Sequence, residues 1–328
     1  METHKNPVRI SVVMTTYNGV KYVGAQIDSI LAQTELPCEI IIRDDGSTDQ
    51  TWELLQEYAQ KNRLVKPHRN ENNMGLNQNF LAGFFEAEGN YIAICDQDDV
   101  WEKNRLEIYR EAFEQEKLTL AYSDSWICDS RLNVKYRYHG RDECTVYDQI
   151  WWGLAPGHAI VFRKDILYTL HNIKEIDFIY EWLIGLAATC KGKIKKLDIP
   201  LTLHRRHEAN VTDHKYRPED VKYKSPLKLF LHVMRFLYSG GELSNFKWQF
   251  SNISLILQNY EDKPHLKRLN RFLRQYHKET LPGMLAAPFL YFLARNDLDF
   301  KNRIKALYTP LYKYYFYKRD GAGLRGRD

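Results

Sequence analysis

The sequence predicts an α/β fold: an α/β/α sandwich around a mostly parallel central sheet, followed by a helical C-terminal domain. Three observations carry this expectation. Over roughly the first hundred residues, strand-like apolar runs alternate with helical patterns in strict succession, which requires crossover connections and parallel pairing. Each of those strands ends in a polar cluster. Beyond about Lys215 the apolar periodicity becomes helical. At 328 residues the chain exceeds the usual single-domain size, and the boundary is placed beside Arg217 and Pro218, giving domains 1–216 and 217–328.

The elements follow in order. "ISVVM" reads as a strand and Val20 to Leu31 as a helix; "EIIIR" is then a strand and Thr48 to Lys61 a helix. Ser47 with Gln50 three residues on has the form of a capping box that opens this second helix. Leu64 to His68, Asn77 to Glu88 and "YIAIC" continue the alternation, and a helix from Lys103 to Gln115 leads into the strand "LTLAYSDS". "SRLNVKYRYHG" reads as an irregular ribbon or loop. From Gly157 the order is the strand "HAIVF", a short helix from Lys164, a helix from Phe178 to Cys190, and "KIKKLDIPLTLHRRH". "SPLKLFLHVMRFLYSGG", "NFKWQFSNISLILQNYE", "HLKRLNRFLRQYH" and "PGMLAAPFLYFLARND" complete the chain as helices.

Composition narrows the function classes. With 44% hydrophobic and 27% charged residues the chain is an ordinary folded protein, and a net charge of +5 is too small to argue for nucleic acid. The five cysteines are scattered and form no C-x-x-C pair, so a reducing cytosol is expected and neither a disulfide framework nor a zinc site is indicated. "METHKNPVRISVVM" holds no apolar core of signal-peptide length before the first strand, and no run of eighteen apolar residues occurs anywhere. Lys228, His232 and Arg235 fall on one helical stripe, and the tail "LYKYYFYKRDGAGLRGRD" mixes tyrosines with basic residues. That composition suits peripheral contact with the inner face of a membrane, and the Tyr-rich C-terminal helices suit a homo-oligomer interface.

The chemistry is expected at the strand ends. "TTYNG", "DDGSTD", "NENNMG" and "DQDD" should share one sheet edge, because ligands of parallel sheets bind beyond the carboxyl ends of the strands. In "CDQDDVW", extended geometry would put Asp96 and Asp98 on one side with Asp99 pointing away. Hard divalent cations, Mg²⁺ or Mn²⁺, take such oxygen ligands, usually one or two carboxylates with phosphates and water; helix capping is the competing reading. Asp44 and Asp45 are either turn residues or acceptors for a nucleobase imide, and Asp49 is a first-turn helix charge. Thr15 and Tyr17 offer hydroxyls, and Tyr17 a flat face for a base.

In this order the segments resemble family 2 nucleotide-sugar glycosyltransferases of the glycosyltransferase A fold. The resemblance rests on "ISVVMTTYNGVKYVGAQIDSILAQT", "EIIIRDDGSTDQT", "NMGLNQNF" and "YIAICDQDDVW", and covers roughly Arg9 to Thr212. It implies that Thr15, Tyr17 and Asp45 line the base pocket, that Asn73 and Gly75 form a turn near the donor, and that "DQDD" is the D-x-D element. Asp98 is then the metal ligand, Asp96 reaches ribose or a metal-bound water, and Asp99 is a further helper. "IDFIYEWLIGLAATCKGKI" is similar to the segment carrying the general base, where the family usually places an Asp before a tryptophan. Here Glu181 precedes Trp182, with Asp177 as runner-up, and a first-turn helix carboxylate is the bland alternative. "LTLHRRHEANVT" resembles the element that brings His207 to the metal or diphosphate and Arg205 or Arg206 to phosphate, with His204 the lesser candidate; a packed or surface histidine is the alternative.

The expected function is therefore a metal-dependent, inverting glycosyltransferase. It would use Mn²⁺ or Mg²⁺, a nucleotide-diphosphate sugar and a glycan or lipid-linked saccharide acceptor, as in bacterial surface polysaccharide assembly. "CDQDDVW" looks most like members that transfer rhamnose or related sugars. A non-catalytic sugar-nucleotide-binding or scaffold subunit is the alternative. A nucleotidyltransferase is disfavoured because no Gly-rich loop with a phosphate-binding Lys is present.

Overall fold

The computed structural model describes residues 7–142, 145–150, 153–171, 173, 180–208, 247–276, 291 and 295. The chain divides into two units, Met1–Asn210 and Val211–Asp328.

The first unit is built on one sheet of nine strands among the described residues. Its first half is β1 (Ile10–Thr16), β2 (Glu39–Asp44), β3 (Val65–Arg69) and β4 (Tyr91–Cys95), paired in parallel in the order β3-β2-β1-β4. All seven residues of β1 are buried, as expected of a central strand covered on both faces. Helices α1 (Val23–Leu31), α2 (Thr51–Lys61) and α3 (Leu76–Glu86) make the crossovers. Val23, Ile27 and Ile30 of α1 and Leu55 of α2 join Val12, Met14, Ile40 and Ile42 in one core.

The second half is mixed. β5 (Val100–Trp101), α4 (Arg105–Gln115), β6 (Leu118–Cys128), β7 (Val134–Tyr138), α5 (Val146–Gln149), β8 (Ile160–Arg163), α6 (Tyr180–Lys191) and β9 (Lys193–Arg205) follow in order, with short 3-10 turns at Gly157–Ala159 and Lys164–Leu170. β8 runs antiparallel between β4 and β6, and β6 pairs in parallel with β9. Nine of the twelve residues of α6 are buried, because it packs against β6, β8 and β9.

Two local expectations are corrected. "VKYRY" is a strand, β7, hydrogen-bonded antiparallel to β6 with one register shift, where an irregular ribbon or loop is expected. Ser47 does not cap α2: its N–H and hydroxyl both turn back to the buried Asp44 carboxylate, and Gln50 at the helix start makes no side-chain cap. Asp49 does that work instead, accepting the Thr51 N–H at 3.0 Å.

In the second unit α7 (Lys247–Gln258) and α8 (Pro264–Tyr276) are described. Ile253, Ile256, Leu257, Leu266, Leu269, Phe272 and Leu273 are buried, and Ser254 donates to Asn270 at 2.7 Å inside them. Arg217, Pro218, Lys228, His232, Arg235, Cys144, Asp177 and the C-terminal tail lie outside the described residues. Among the described residues no helix is long and apolar enough to cross a membrane.

Candidate active site

The four polar clusters meet at the carboxyl ends of β1 to β4 and are tied together by side chain to backbone bonds. Asn18, at φ 48°, turns the chain after β1; its N–H donates to Ser47 Oγ at 2.9 Å and its Oδ1 accepts the Thr48 N–H at 2.8 Å. Asn is among the residues that tolerate this left-handed conformation. The Gly19 N–H donates to Thr51 Oγ1 at 2.9 Å, and a Cβ on Gly19 would lie 2.1 Å from Gln97 Oε1. Gln97 needs that space: its Oε1 accepts the Tyr17 N–H at 3.0 Å and its Nε2 donates to the Tyr17 carbonyl at 3.2 Å. The only residue between the acids of "DQDD" is thus the brace that joins them to "TTYNG".

Asp45 ties in the fourth cluster. Its Oδ1 accepts from Asn70 Nδ2 at 2.8 Å and Met74 N–H at 2.9 Å, and its Oδ2 from Gly75 N–H at 2.9 Å. Asn73 Nδ2 donates to the Asp45 carbonyl at 3.1 Å, and Gly75, at φ 79°, starts α3. The carboxylate expected at the base pocket therefore shapes the 70–75 loop. Thr15 is buried at the end of β1, whereas Tyr17 is 49% exposed and presents its ring at this edge.

The acidic turn departs from extended geometry. β4 stops at Cys95 and the chain turns at Gln97 and Asp98, so Asp99 points inward. Asp99 is fully buried, 3.0 Å from His204 Nδ1, and accepts the Arg205 N–H at 2.9 Å. Burial opposes its ionisation, but the His204 charge and hydrogen bond prevail and hold its pKa low; the same pairing raises that of His204 against burial. His204 stacks on His158 at 4.2 Å, and His158 Nε2 meets Ser125 Oγ at 2.9 Å. Beneath lies the fully buried Arg105, whose guanidinium donates to the His158 carbonyl at 2.7 Å and sits 4.2 Å from the Trp101 ring.

Asp98 faces the other way. Burial, then the charges of Asp99 and Asp96, push its carboxyl up to about 7. Its Oδ2 lies 2.8 Å from His207 Nε2, and burial with the cations Arg205 and Lys21 lowers the His207 pKa. An oxygen and a nitrogen this close are two ligand atoms that a divalent cation can take together. Asp96, Asp99, His158 and His204 also bring ligand atoms within 4.8 Å of one another. That group is the poorer cation site, because His204 already balances Asp99 and Ser125 engages His158.

Glu181 stands in the first turn of α6. Burial pushes its carboxyl up to about 8, and the Asp96 charge adds to the rise, so the two carboxylates share one electrostatic environment. Tyr180 beside it is buried against Phe80, ring centroids 4.3 Å apart. Asp177 lies outside the described residues.

The "HRRH" segment divides its roles. Arg205 is buried and spends its guanidinium on the carbonyls of Asp98 and Ser130, both at 2.7 Å. Arg206 donates its N–H to the Cys128 carbonyl at 2.9 Å and has a partly exposed side chain. Tyr22 joins the site unannounced, stacked on His207 at 4.7 Å with Arg205 4.7 Å over its ring. Sequence reasoning also missed Gln97, Arg105, Ser125 and His158, none of which belongs to a spaced pattern.

Three comparisons bear on this geometry. Residues 11–170 match the family model for glycosyl transferase family 2. An uncharacterized glycosyltransferase of Nostoc sp. is 31% identical over 215 residues, 62% of this chain and 66% of its own length. An Escherichia coli UDP-Glc:alpha-D-GlcNAc-diphosphoundecaprenol beta-1,3-glucosyltransferase is 25% identical over 230 residues, 67% of this chain and 85% of its own. The first curated relatives are matched over 66% and 59% of their lengths. Among solved structures, Staphylococcus aureus TarS 1-349 in complex with UDP-GlcNAc matches in fold with a TM-score of 0.53, at 18% identity over 94% of this chain and 92% of that one. Residues 11–170 thus resemble glycosyl transferase family 2, and the sheet order together with the TarS likeness gives the first unit the glycosyltransferase A-type fold.

Proposed function

We propose that the protein transfers a sugar from a nucleotide-diphosphate donor to a hydroxyl of a glycan or lipid-linked saccharide, with inversion at the anomeric carbon. The observation that carries this reading is the pairing of two unlike carboxyl sites around Asp96. Both feel the Asp96 charge: Asp98 and His207 form an oxygen and nitrogen pair suited to a cation, and Glu181 is a carboxyl pushed up to about 8, which suits a proton acceptor. Donor binding is supported by analogy with TarS, whose solved structures hold UDP-GlcNAc and UDP. The Escherichia coli relative, named for a UDP-glucose donor and a diphosphoundecaprenol acceptor, supports the acceptor class.

In the reaction the acceptor oxygen forms a bond to the anomeric carbon as the bond to the diphosphate oxygen breaks. The acceptor proton passes to Glu181, and the departing electron pair stays on the β-phosphate. Charge therefore grows on the leaving oxygen while the sugar becomes oxocarbenium-like. Asp98 and His207 would hold Mg²⁺ or Mn²⁺, which supplies Lewis-acid charge for the diphosphate when bound. Tyr17 would stack on the base and Thr15 would line its pocket. Asp45 would act by holding the Asn73–Gly75 turn, with Asp96 toward the ribose and Arg206 toward phosphate.

The test is product stereochemistry by NMR with a lipid-linked or oligosaccharide acceptor and UDP-, GDP- and dTDP-sugars, dTDP-rhamnose among them. An α-configured donor should give a β-linked product with one nucleoside diphosphate released per transfer. Binding of a donor with no transfer to any acceptor would instead support the non-catalytic subunit, and retained configuration would exclude Glu181 as the base of a single displacement.

A further inference from the structure

We propose that Asn77 is a positioning residue for Glu181, a role that rests on the base assignment above. The backbone N–H of Tyr180, the first residue of α6, donates to Asn77 Oδ1 at 3.2 Å across 103 residues of sequence. The first amides of a helix have no partner within it and are satisfied by capping groups, which usually come from the residue just before the helix. Here an acceptor arrives from another helix, α3, and reaches the residue adjacent to Glu181.

The placement gives that bond a consequence. Asn77 lies in the first turn of α3, two residues after Gly75, whose N–H is fixed by the Asp45 carboxylate at 2.9 Å. One end of α3 is therefore tied to the strand-end loops and, through Asn77, to the start of α6. The Tyr180 ring packs on Phe80 and Phe84, ring centroids 4.3 and 5.8 Å away, and its hydroxyl lies against Gly157, contacts that restrain its ring rather than its amide. A carboxylate must stand within hydrogen-bond reach of the acceptor hydroxyl to serve as base, so a shift of this first turn moves the proton acceptor directly.

Two variants separate positioning from general support. Asn77→Ala removes the acceptor, and Asn77→Asp keeps an oxygen at the same place. In the full-length protein Asn77→Ala should lower kcat roughly ten- to a hundredfold with the donor KM unchanged within about twofold, and Asn77→Asp should recover most of it. The negative charge of Asn77→Asp beside Glu181 should also move the pH profile of kcat/KM upward. Equal kcat in Asn77→Ala and wild type, while Glu181→Gln is inactive, would overturn the positioning role and leave the base standing. Equal losses in both Asn77 variants that track only a lowered melting temperature would overturn it as well. Full turnover in Glu181→Gln would remove the base reading itself, and the proposal with it.

Discussion

Replacing Glu181 by Gln should lower kcat by about 10³-fold, leave donor binding intact, and raise the melting temperature above neutral pH. The first effect follows from removing the proposed proton acceptor while keeping the shape of the side chain. The second follows because the residues proposed to hold the donor, Asp98 and His207 among them, are left unchanged. The third is set by burial. A Glu whose pKa rises from 4.5 to about 8 on folding contributes stability that is fully present below pH 4.5 and is lost as pH rises through 8. By pH 7 the loss is on the order of 3 kcal/mol, an upper bound for a group that keeps some contact with solvent. Gln carries no such loss, so its gain should be several degrees at pH 8 and absent near pH 4. For the wild type, kcat/KM should climb about tenfold per pH unit below the Glu181 pKa and level off above it. A cation at Asp98 would offset the Asp96 charge and move that midpoint down. Turnover assays, calorimetric donor titration and melts at pH 4 and 8 read all three effects.

The second large effect is structural. Asp99→Ala should destabilise the first unit by about 3–5 kcal/mol, because it leaves His204 and the Arg205 amide buried without their shared acceptor. The pH dependence has two limbs. Asp99, with its pKa lowered, contributes stability above its ordinary value of 3.8 and loses it only as pH falls through its folded value. His204, with its pKa raised, contributes fully below 6.5 and loses that stability as pH rises through its folded value. The pair is therefore worth most between about pH 4 and 6.5, and the difference in denaturant midpoint between wild type and Asp99→Ala should be largest there. Asp99→Asn with His204→Gln should cost less than the sum of the single changes, since the two side chains are in contact.

Much of this arrangement is legible in the sequence because it sits where one strand ends. "TTYNG", "DDGSTD", "NENNMG" and "DQDD" each follow an apolar run, and parallel pairing brings strand ends together whatever the loops contain. Their internal division of labour is not legible. Asp45 and Asp98 are both acids at strand ends, yet Asp45 accepts three bonds from its own chain and Asp98 faces His207. Asp99 turns inward because its partner is on β9, 105 residues away, and no local periodicity records that distance. Ser47 has the spacing of a cap but meets a closer acceptor, the buried Asp44. β7 escaped because its alternation sets exposed tyrosines against salt-bridged cations: Val134, Tyr136 and Tyr138 are exposed, while Arg137 pairs with Asp124 at 2.8 Å. A strand whose apolar face is exposed and only three residues deep gives a short alternation that a ribbon or loop shares.

The most direct test of the central claim is calorimetric titration of the full-length protein with Mn²⁺ and a nucleoside diphosphate, alone and together, in wild type and Asp98→Ala. The wild type should bind the nucleotide at least tenfold more tightly with Mn²⁺ than without it. Binding should release a proton near pH 7, because a cation at Asp98 would favour the ionised form of a carboxyl that is pushed up to about 7 without it. Asp98→Ala should lose both the metal enhancement and the proton release while keeping its melting temperature within a few degrees. Nucleotide binding indifferent to Mn²⁺, or an Asp98→Ala variant with the full metal enhancement, would contradict the assignment of this turn as the metal–diphosphate end of a sugar-nucleotide site.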